Sequence, residues 1–332
     1  TTADPMATYD AIWLGGGAAG RFGSSYLKAL GGRSLVVEKH GLGGECHVCR
    51  CAFENFIADQ SSMAQMLRDF SGLAWYPEVD STKFRMSEAV KVYRDIGGPA
   101  FHDAMSHQSI QQLLLEVAWG EGKIIEKTSD GFVVEVNGQK FKGKNLVLCT
   151  GSRPTIPDDI PGTELEGVWT YRDHLSMTED PKKMVIIGAG KIGVAKATMF
   201  APFNVDVTIL QRSTILRGWD WELKNYLYGD FKRRGIKLHE GVTAKEIKGK
   251  NGKVTSVIAY VDGKETEFPC DTVLLATGLT PNSEIGKPLG VEIGPENEIV
   301  IDKRSKTSVD GVYAVGDIAG PPYFMEIGRA HV

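Results

Sequence analysis

Tyr9-Asp10-Ala11-Ile12-Trp13-Leu14-Gly15-Gly16-Gly17-Ala18-Ala19-Gly20 decides the fold. A short apolar run that reads as a strand passes directly into G-x-G-x-x-G and then into a helical pattern through Leu30. A second strand signal, Ser34-Leu35-Val36-Val37, ends in Glu38. Strand, glycine turn, helix, strand and terminal acid form a dinucleotide-binding unit. Its glycines let the backbone turn tightly and approach a pyrophosphate, which sits at the helix N-terminus. The acid at the strand end accepts hydrogen bonds from ribose hydroxyls.

The same unit returns. Met184-Val185-Ile186-Ile187 is followed by Gly188-Ala189-Gly190-Lys191-Ile192-Gly193, a helix to about Phe203, and a strand from Val205 to Leu210. Glu38 and Gln211 stand at the same offset from the third glycine of their turns (20 to 38, 193 to 211). The first copy therefore presents a carboxylate to the ribose, whereas the second presents Gln211 followed by Arg212. A carboxylate repels a 2′-phosphate, and a guanidinium pairs with it in two-pronged fashion. The second site is expected to prefer NADPH, with Arg217 as a further contact; the alternative is that Arg212 is an ordinary solvated charge.

Each copy continues in parallel. Asn145 to Pro154 is a strand ending in Thr150-Gly151, and Asp271 to Gly278, with Pro281-Asn282, repeats it. Before each lies an antiparallel-looking insert, Gly131 to Phe141 and Lys253 to Phe268, with hairpin signals Asn137-Gly138 and Asp262-Gly263. A late strand ends in Gly316-Asp317. The chain thus reads as an α/β protein built by internal duplication of two Rossmann-like, three-layer domains with antiparallel β inserts. Residues 1–155 are assigned to the first domain, 156–300 to the second and 301–325 to a return segment.

Between the first unit and its insert stands Gly43-Gly44-Glu45-Cys46-His47-Val48-Cys49-Arg50-Cys51, ahead of an amphipathic run from Phe53 to Phe70. A cysteine at a helix N-terminus beside Arg50 has its thiolate favoured. Composition narrows the partners. A net charge of −4 gives no basic excess for nucleic acid or an anionic membrane. No apolar run approaches a bilayer-spanning length, and five cysteines, three of them in one cluster, do not form a secreted disulfide framework. A cytoplasmic setting is expected.

Together these elements resemble the flavin-dependent pyridine nucleotide–disulfide oxidoreductases, such as glutathione reductase, dihydrolipoamide dehydrogenase and mercuric reductase. The resemblance covers the chain from Tyr9 to about Met325. It implies FAD in the first domain, held by Gly15, Gly17, Ala18, Ala19, Gly20, Glu38, Lys39, Gly44, Glu45, Thr150, Gly151, Gly316 and Asp317. It implies NADPH in the second, held by Gly188, Gly190, Lys191, Ile192, Gly193, Gln211, Arg212 and Gly278. Cys51 would be the thiol nearer the flavin and Cys46 the interchange thiol. The family's usual G-G-T-C-x-N-x-G-C-x-P-S-K is altered here: Glu45, Val48 and Arg50 replace Thr, Asn and Gly, and Ala52-Phe53-Glu54-Asn55 replaces the tail with its lysine.

One branch lacking that tail is 2-oxopropyl-coenzyme M reductase (carboxylating), which cleaves a thioether and traps the enolate with CO2. Gly15 to Ser24, Phe70-Ser71-Gly72, Trp75-Tyr76-Pro77, Met105 and Gln108-Ser109 are similar to it. That likeness implies a substrate pocket of Arg21, Phe22, Met105 and Met325, with Arg21 on a sulfonate. The alternatives are a surface arginine snorkelling over Phe22 and a core methionine at Met105. Other readings stay open: Cys46, Cys49, Cys51 and His47 as a metal or redox-sensing cluster, a dehydrogenase with a vestigial dithiol, and His47 as acid–base group or turn residue. No metal is expected. The family adds an interface domain of roughly 100 residues that supplies a homodimer contact. This chain is expected to lack it, and 326–332 to be a non-native tail, so that Arg329, which aligns with a second sulfonate-binding arginine of the carboxylating branch, is no guide to function.

Overall fold

The computed structural model describes residues 3–48, 51–73, 75–98, 104, 107–108, 110–321 and 324. β1 (Thr8–Leu14), β2 (Ser34–Glu38) and β9 (Lys183–Ile187), the last preceded by the short strands β7 (Ser152–Pro154) and β8 (Val168–Trp169), are short, mostly apolar runs, buried along most of their length as strands covered on both faces must be. The chain divides into two compact units. The first comprises Thr1–Ala52, Gly97–Arg153 and Leu279–Val332, the second Phe53–Ile96 and Pro154–Gly278.

In the first unit, β1, α1 (Ala18–Ala29) and β2 form the first nucleotide motif. The sheet also contains β3 (Glu116–Trp119), β4 (Gly122–Thr128), β5 (Gly131–Val136) and β6 (Gln139–Leu148), ordered β3-β2-β1-β6-β5-β4. The ten-residue β6 serves twice. Its first half pairs antiparallel with β5, and its later residues pair parallel with β1 and with the late strand Val312–Ala314. Strand order reverses between β1 and β6, so the open crevice at the carboxyl ends of these strands lies beside Gly15 and Cys149. Tyr9, Ile12, Leu14, Leu35, Leu146 and Val312 fill the core.

In the second unit, β9, α5 (Lys191–Phe200) and β10 (Asp206–Gln211) repeat the motif. Here α5 follows α2 (Gly44–Val48), α3 (Cys51–Phe70) and α4 (Met86–Asp95) in chain order. The sheet is parallel throughout, with Lys237–Glu240 beside β10 and Thr272–Leu275 beside β9. Its insert, Thr243–Lys250, Lys253–Val261 and Lys264–Pro269, is a separate antiparallel sheet. The hairpin residues Asn137-Gly138 and Asp262-Gly263 all have positive φ, and Asn251-Gly252 adds a third such turn.

The expected boundaries at 155 and 300 are not those of the compact units. Phe53 and Ile57 are buried with Met184, Ala197 and Phe200, so most of α3, with α4, belongs to the second unit. Val291 and Ile299 are buried with Leu35 and Leu146, so the chain rejoins the first unit at Leu279. No helix among the described residues is long and apolar enough to cross a membrane.

Candidate functional site

In the first glycine turn, Gly15 donates its N–H to Val37 and has φ +118°; a Cβ there would lie 2.3 Å from the Cys149 carbonyl oxygen. At Gly20 it would lie 1.9 Å from the Gly15 carbonyl oxygen. Gly17 precedes α1 with no side-chain cap, and the first turn, starting at Ala18 and Ala19, carries no acid. Its orphan N–H groups thus face a space suited to an anion. Glu38 is buried behind the turn. One carboxylate oxygen accepts from the Gly16 N–H at 2.7 Å and the other from His40 at 2.7 Å and Gly41 at 3.2 Å. Lys39 pairs instead with Glu121 at 3.5 Å.

The crevice is completed from the far end of the unit. Thr150 donates to the Asn282 carbonyl at 3.0 Å, while the Asn282 side chain donates to the Thr150 carbonyl at 2.8 Å. Ser152 donates to Asp317 at 2.7 Å, and a Cβ on Gly316 would stand 3.3 Å from that of Ala19. A Cβ on Gly151 would meet nothing within 4 Å, so open space lies before it. The bare glycines, the uncapped helix and the buried Glu38 fit a dinucleotide. Asn282 and Ser152 were not assigned from sequence; the only signal was the Pro281-Asn282 pair after the second Thr-Gly.

The cysteine stretch docks on this turn. Gly43 donates its N–H to the Gly16 carbonyl at 2.8 Å, and a Cβ on Gly44 would lie 2.8 Å from the Gly17 Cα. Gly43 and Gly44 have φ of +106° and +58°, which explains the glycine pair. The His47 ring packs over Gly43, where a Cβ would lie 2.2 Å from Nδ1. Cys46 lies in the short helix α2 and Cys51 opens α3; both are half-buried, as is Glu45. Arg21 is only 7% exposed, and burial lowers its pKa while the charge of Cys46 raises it, so the two side chains share one environment. Phe22, 45% exposed, lies under the guanidinium, 4.6 Å from ring centroid to Cζ. By contrast, burial pushes the Cys149 thiol far up and the Cys270 thiol to about 12, which leaves both inert.

The second turn repeats the first. Gly188 has φ +107° and would carry a Cβ 2.3 Å from the Ala276 carbonyl oxygen; at Gly193 it would stand 2.0 Å from that of Gly188. Gly190 caps α5 without a side chain, and Lys191 and Ile192 open the helix. Gln211 accepts from the Ala189 N–H at 3.0 Å and donates to Ser213 and Thr214. Arg212 and Arg217 are exposed on the loop that follows. Ile215 and Leu216 bury that loop, and Leu216 donates its N–H to the Ala189 carbonyl at 2.9 Å. Gly278, φ +117°, lies beside Thr155. Of the substrate residues expected from sequence, Met105 and Met325 lie outside the described residues, as do Cys49, Arg50 and Arg329.

Three comparisons bear on this arrangement. The family model described as pyridine nucleotide-disulphide oxidoreductase matches residues 9–332. A mercuric reductase of Lysinibacillus sphaericus is 28% identical over 327 residues, which span 96% of this chain and 57% of the relative. A dihydrolipoyl dehydrogenase of Rhizobium etli is 28% identical over 340 residues, spanning 95% and 68%. Among solved structures, the HOCl-induced flavoprotein disulfide reductase RclA from Escherichia coli matches with a TM-score of 0.77 at 20% identity. That match covers 95% of this chain and 67% of RclA, and it speaks to the fold.

Proposed function

Because the chain belongs to the pyridine nucleotide-disulphide oxidoreductase family, whose members use FAD and NAD(P)H, we propose that it is the nucleotide-binding and dithiol-bearing part of a flavoprotein disulfide reductase. When bound, FAD and NADPH supply the two-electron path from a diffusible hydride donor to protein sulfur. Gly15, Gly17, Ala18, Ala19, Gly20, Glu38, Lys39, Gly44, Glu45, Thr150, Gly151, Gly316 and Asp317 would hold the flavin nucleotide. Gly188, Gly190, Lys191, Ile192, Gly193, Gln211, Arg212 and Gly278 would hold NADPH.

The observation that carries this reading is the docking of Gly43-Gly44 on the first glycine turn, which brings α2 and Cys46 to that cradle. The half-buried Cys46 and Cys51 do the sulfur chemistry. The Cys46 thiolate attacks one sulfur of a disulfide substrate and expels the other as a thiolate. Cys51 then attacks Cys46 in the mixed disulfide, so the protein ends with a Cys46–Cys51 disulfide and the substrate with two thiols. Arg21 beside Cys46 favours the thiolate and an anionic substrate. The compartment would be the reducing cytoplasm, and the whole protein a homodimer.

A second reading is favoured by one observation, the buried Arg21 with Phe22 exposed beneath it next to Cys46. That is the arrangement expected for a thioether with an anionic tail, the 2-oxopropyl-coenzyme M type of substrate. Thiol titration after anaerobic NADPH addition tests the common premise. Two additional reactive thiols, mapped to Cys46 and Cys51, are expected; none would overturn it. Turnover with disulfides, dihydrolipoamide and mercuric ion set against the 2-oxopropyl thioether then separates the two readings.

A further inference from the structure

One buried charged cluster has no part in the chemistry above. Lys196, on the inward face of α5, is 2% exposed, and its ammonium donates to the Glu54 carboxylate on α3. The same nitrogen lies 2.8 Å from Nε2 and 3.1 Å from Nδ1 of His174, which is 1% exposed. His174 Nε2 is itself 3.6 Å from the Glu54 oxygen. The Phe53 ring covers the imidazole at 4.6 Å, and the Phe200 ring lies 6.3 Å from it. Burial, and then the Lys196 charge, hold the His174 pKa well below its ordinary value, so the ring is neutral and offers a lone pair to the ammonium.

Burying an ammonium is expensive unless it is paired, and an apolar side chain commonly serves such a position at least as well. The other buried residues of α5 are Gly193, Val194, Ala197 and Phe200, so an apolar residue would continue the pattern. The charge answers something specific. Glu54 lies three residues after Cys51 on the same helix, a spacing that makes the two side chains neighbours on one face. An uncompensated carboxylate there would oppose ionisation of the thiol. We propose that Lys196 is a positioning residue for the dithiol: it neutralises Glu54, so that α3 is anchored to α5 by a carboxylate that does not suppress the thiolate of Cys51. His174 completes the site by accepting from the ammonium without adding charge.

The inference rests on the reading of Cys46 and Cys51 as a redox pair, and the NADPH thiol titration on the unmodified protein tests that reading separately. The further test uses the thiol pKa of Cys51, read from the pH dependence of iodoacetamide alkylation in a C46S/C49S background. K196M should raise it by about 0.5 to 1 pH unit, and E54Q/K196M should bring it back to the parent value. K196R, which keeps the charge, should leave it in place. Arg21, Glu45, His47, Arg50, His174 and Tyr93 are the same in every variant and cancel from the differences. A purely structural role predicts that E54Q/K196M disturbs Cys51 at least as much as K196M, and that result, or no shift in K196M, overturns the proposal. Should K196M not fold, E54Q carries the test: it must lower the thiol pKa, and no lowering overturns the proposal equally.

Discussion

The two glycine turns are equivalent except in what is fastened to them. In both, the second residue of the turn donates its N–H to the residue that ends the next strand, Gly16 to Glu38 and Ala189 to Gln211, with the same separation of 22 residues. In both, the carbonyl of that second residue accepts an N–H from a later loop, Gly16 from Gly43 and Ala189 from Leu216, at corresponding positions of the two copies. The first turn thereby holds the glycine pair that leads into α2, the helix bearing Cys46. The second holds a loop bearing Arg212 and Arg217 at its ends. One hydrogen-bond pattern therefore positions a cysteine-bearing helix in one unit and a loop with two exposed arginines in the other. The donor in each loop has a positive φ, +106° at Gly43 and +43° at Leu216. The second copy accepts a strained leucine there, which its burial in the core offsets.

The most damaging test of the equivalence is the third glycine. G20A and G193A each place a methyl about 2 Å from the carbonyl of the first glycine in the same turn, and each should cost ~3 kcal/mol or more. G20A should lose flavin absorbance, whereas G193A should keep it and lose NADPH binding by calorimetry. A G193A variant with intact NADPH affinity would mean that the second turn is not a nucleotide cradle. The next effect is on specificity. R212M/R217M should weaken NADPH by ~10- to 100-fold and leave NADH little changed, because only the 2′-phosphate needs the guanidinium pair. Equal weakening of both nucleotides would return the two arginines to solvated charges.

How far the sequence could be read follows from the range of each interaction. The glycine turns, the acid and its glutamine counterpart, and the Asn-Gly and Asp-Gly hairpins are local, because each rests on a backbone conformation that few residues adopt. The allegiance of α3 was not legible. Phe53 and Ile57 form an amphipathic pattern that says a face is buried but not against what, and the partners, Met184 and Phe200, lie far along the chain. The Glu54–Lys196 pair spans 142 residues, with no spacing rule to announce it. The separate second insert has a local cause only in hindsight. Pro269 ends one strand and the Asp271 carboxylate accepts from the N–H groups of Lys182 and Lys183, whereas β6 runs through unbroken.

The buried imidazole predicts a further asymmetry between the units. His174 has a folded-state pKa depressed below about 6.5, so the unfolded chain binds the proton first as pH falls. The stability it confers is complete above pH ~6.5 and declines below it, at up to ~1.4 kcal/mol per pH unit, until the folded-state pKa is reached. The second unit should therefore be the one that loses amide-exchange protection on mild acidification, and H174N should flatten that dependence. If protection falls equally in both units, carboxylates elsewhere dominate the acid response.

The smallest effect is the most discriminating, because it exchanges the second residue of the turn, glycine in the first copy and alanine in the second. A Cβ on Gly16 would press on the Leu42 side chain at 2.7 Å and on the Glu38 Cβ at 3.0 Å, so G16A should cost ~1–3 kcal/mol and loosen the Gly43 contact. Ala189 already buries its methyl completely in the second unit. A189G should therefore cost only ~1 kcal/mol, from the lost methyl and the freer unfolded backbone. Chemical denaturation measures both, and the rate of Cys46 alkylation adds a readout that only G16A should change. The bare second position of the first turn would then be a requirement of the Leu42-Gly43 lead-in packed against it, and not of a bound nucleotide. Equal costs for the two variants, with Cys46 undisturbed, would instead make Gly16 and Ala189 interchangeable solutions to a single turn.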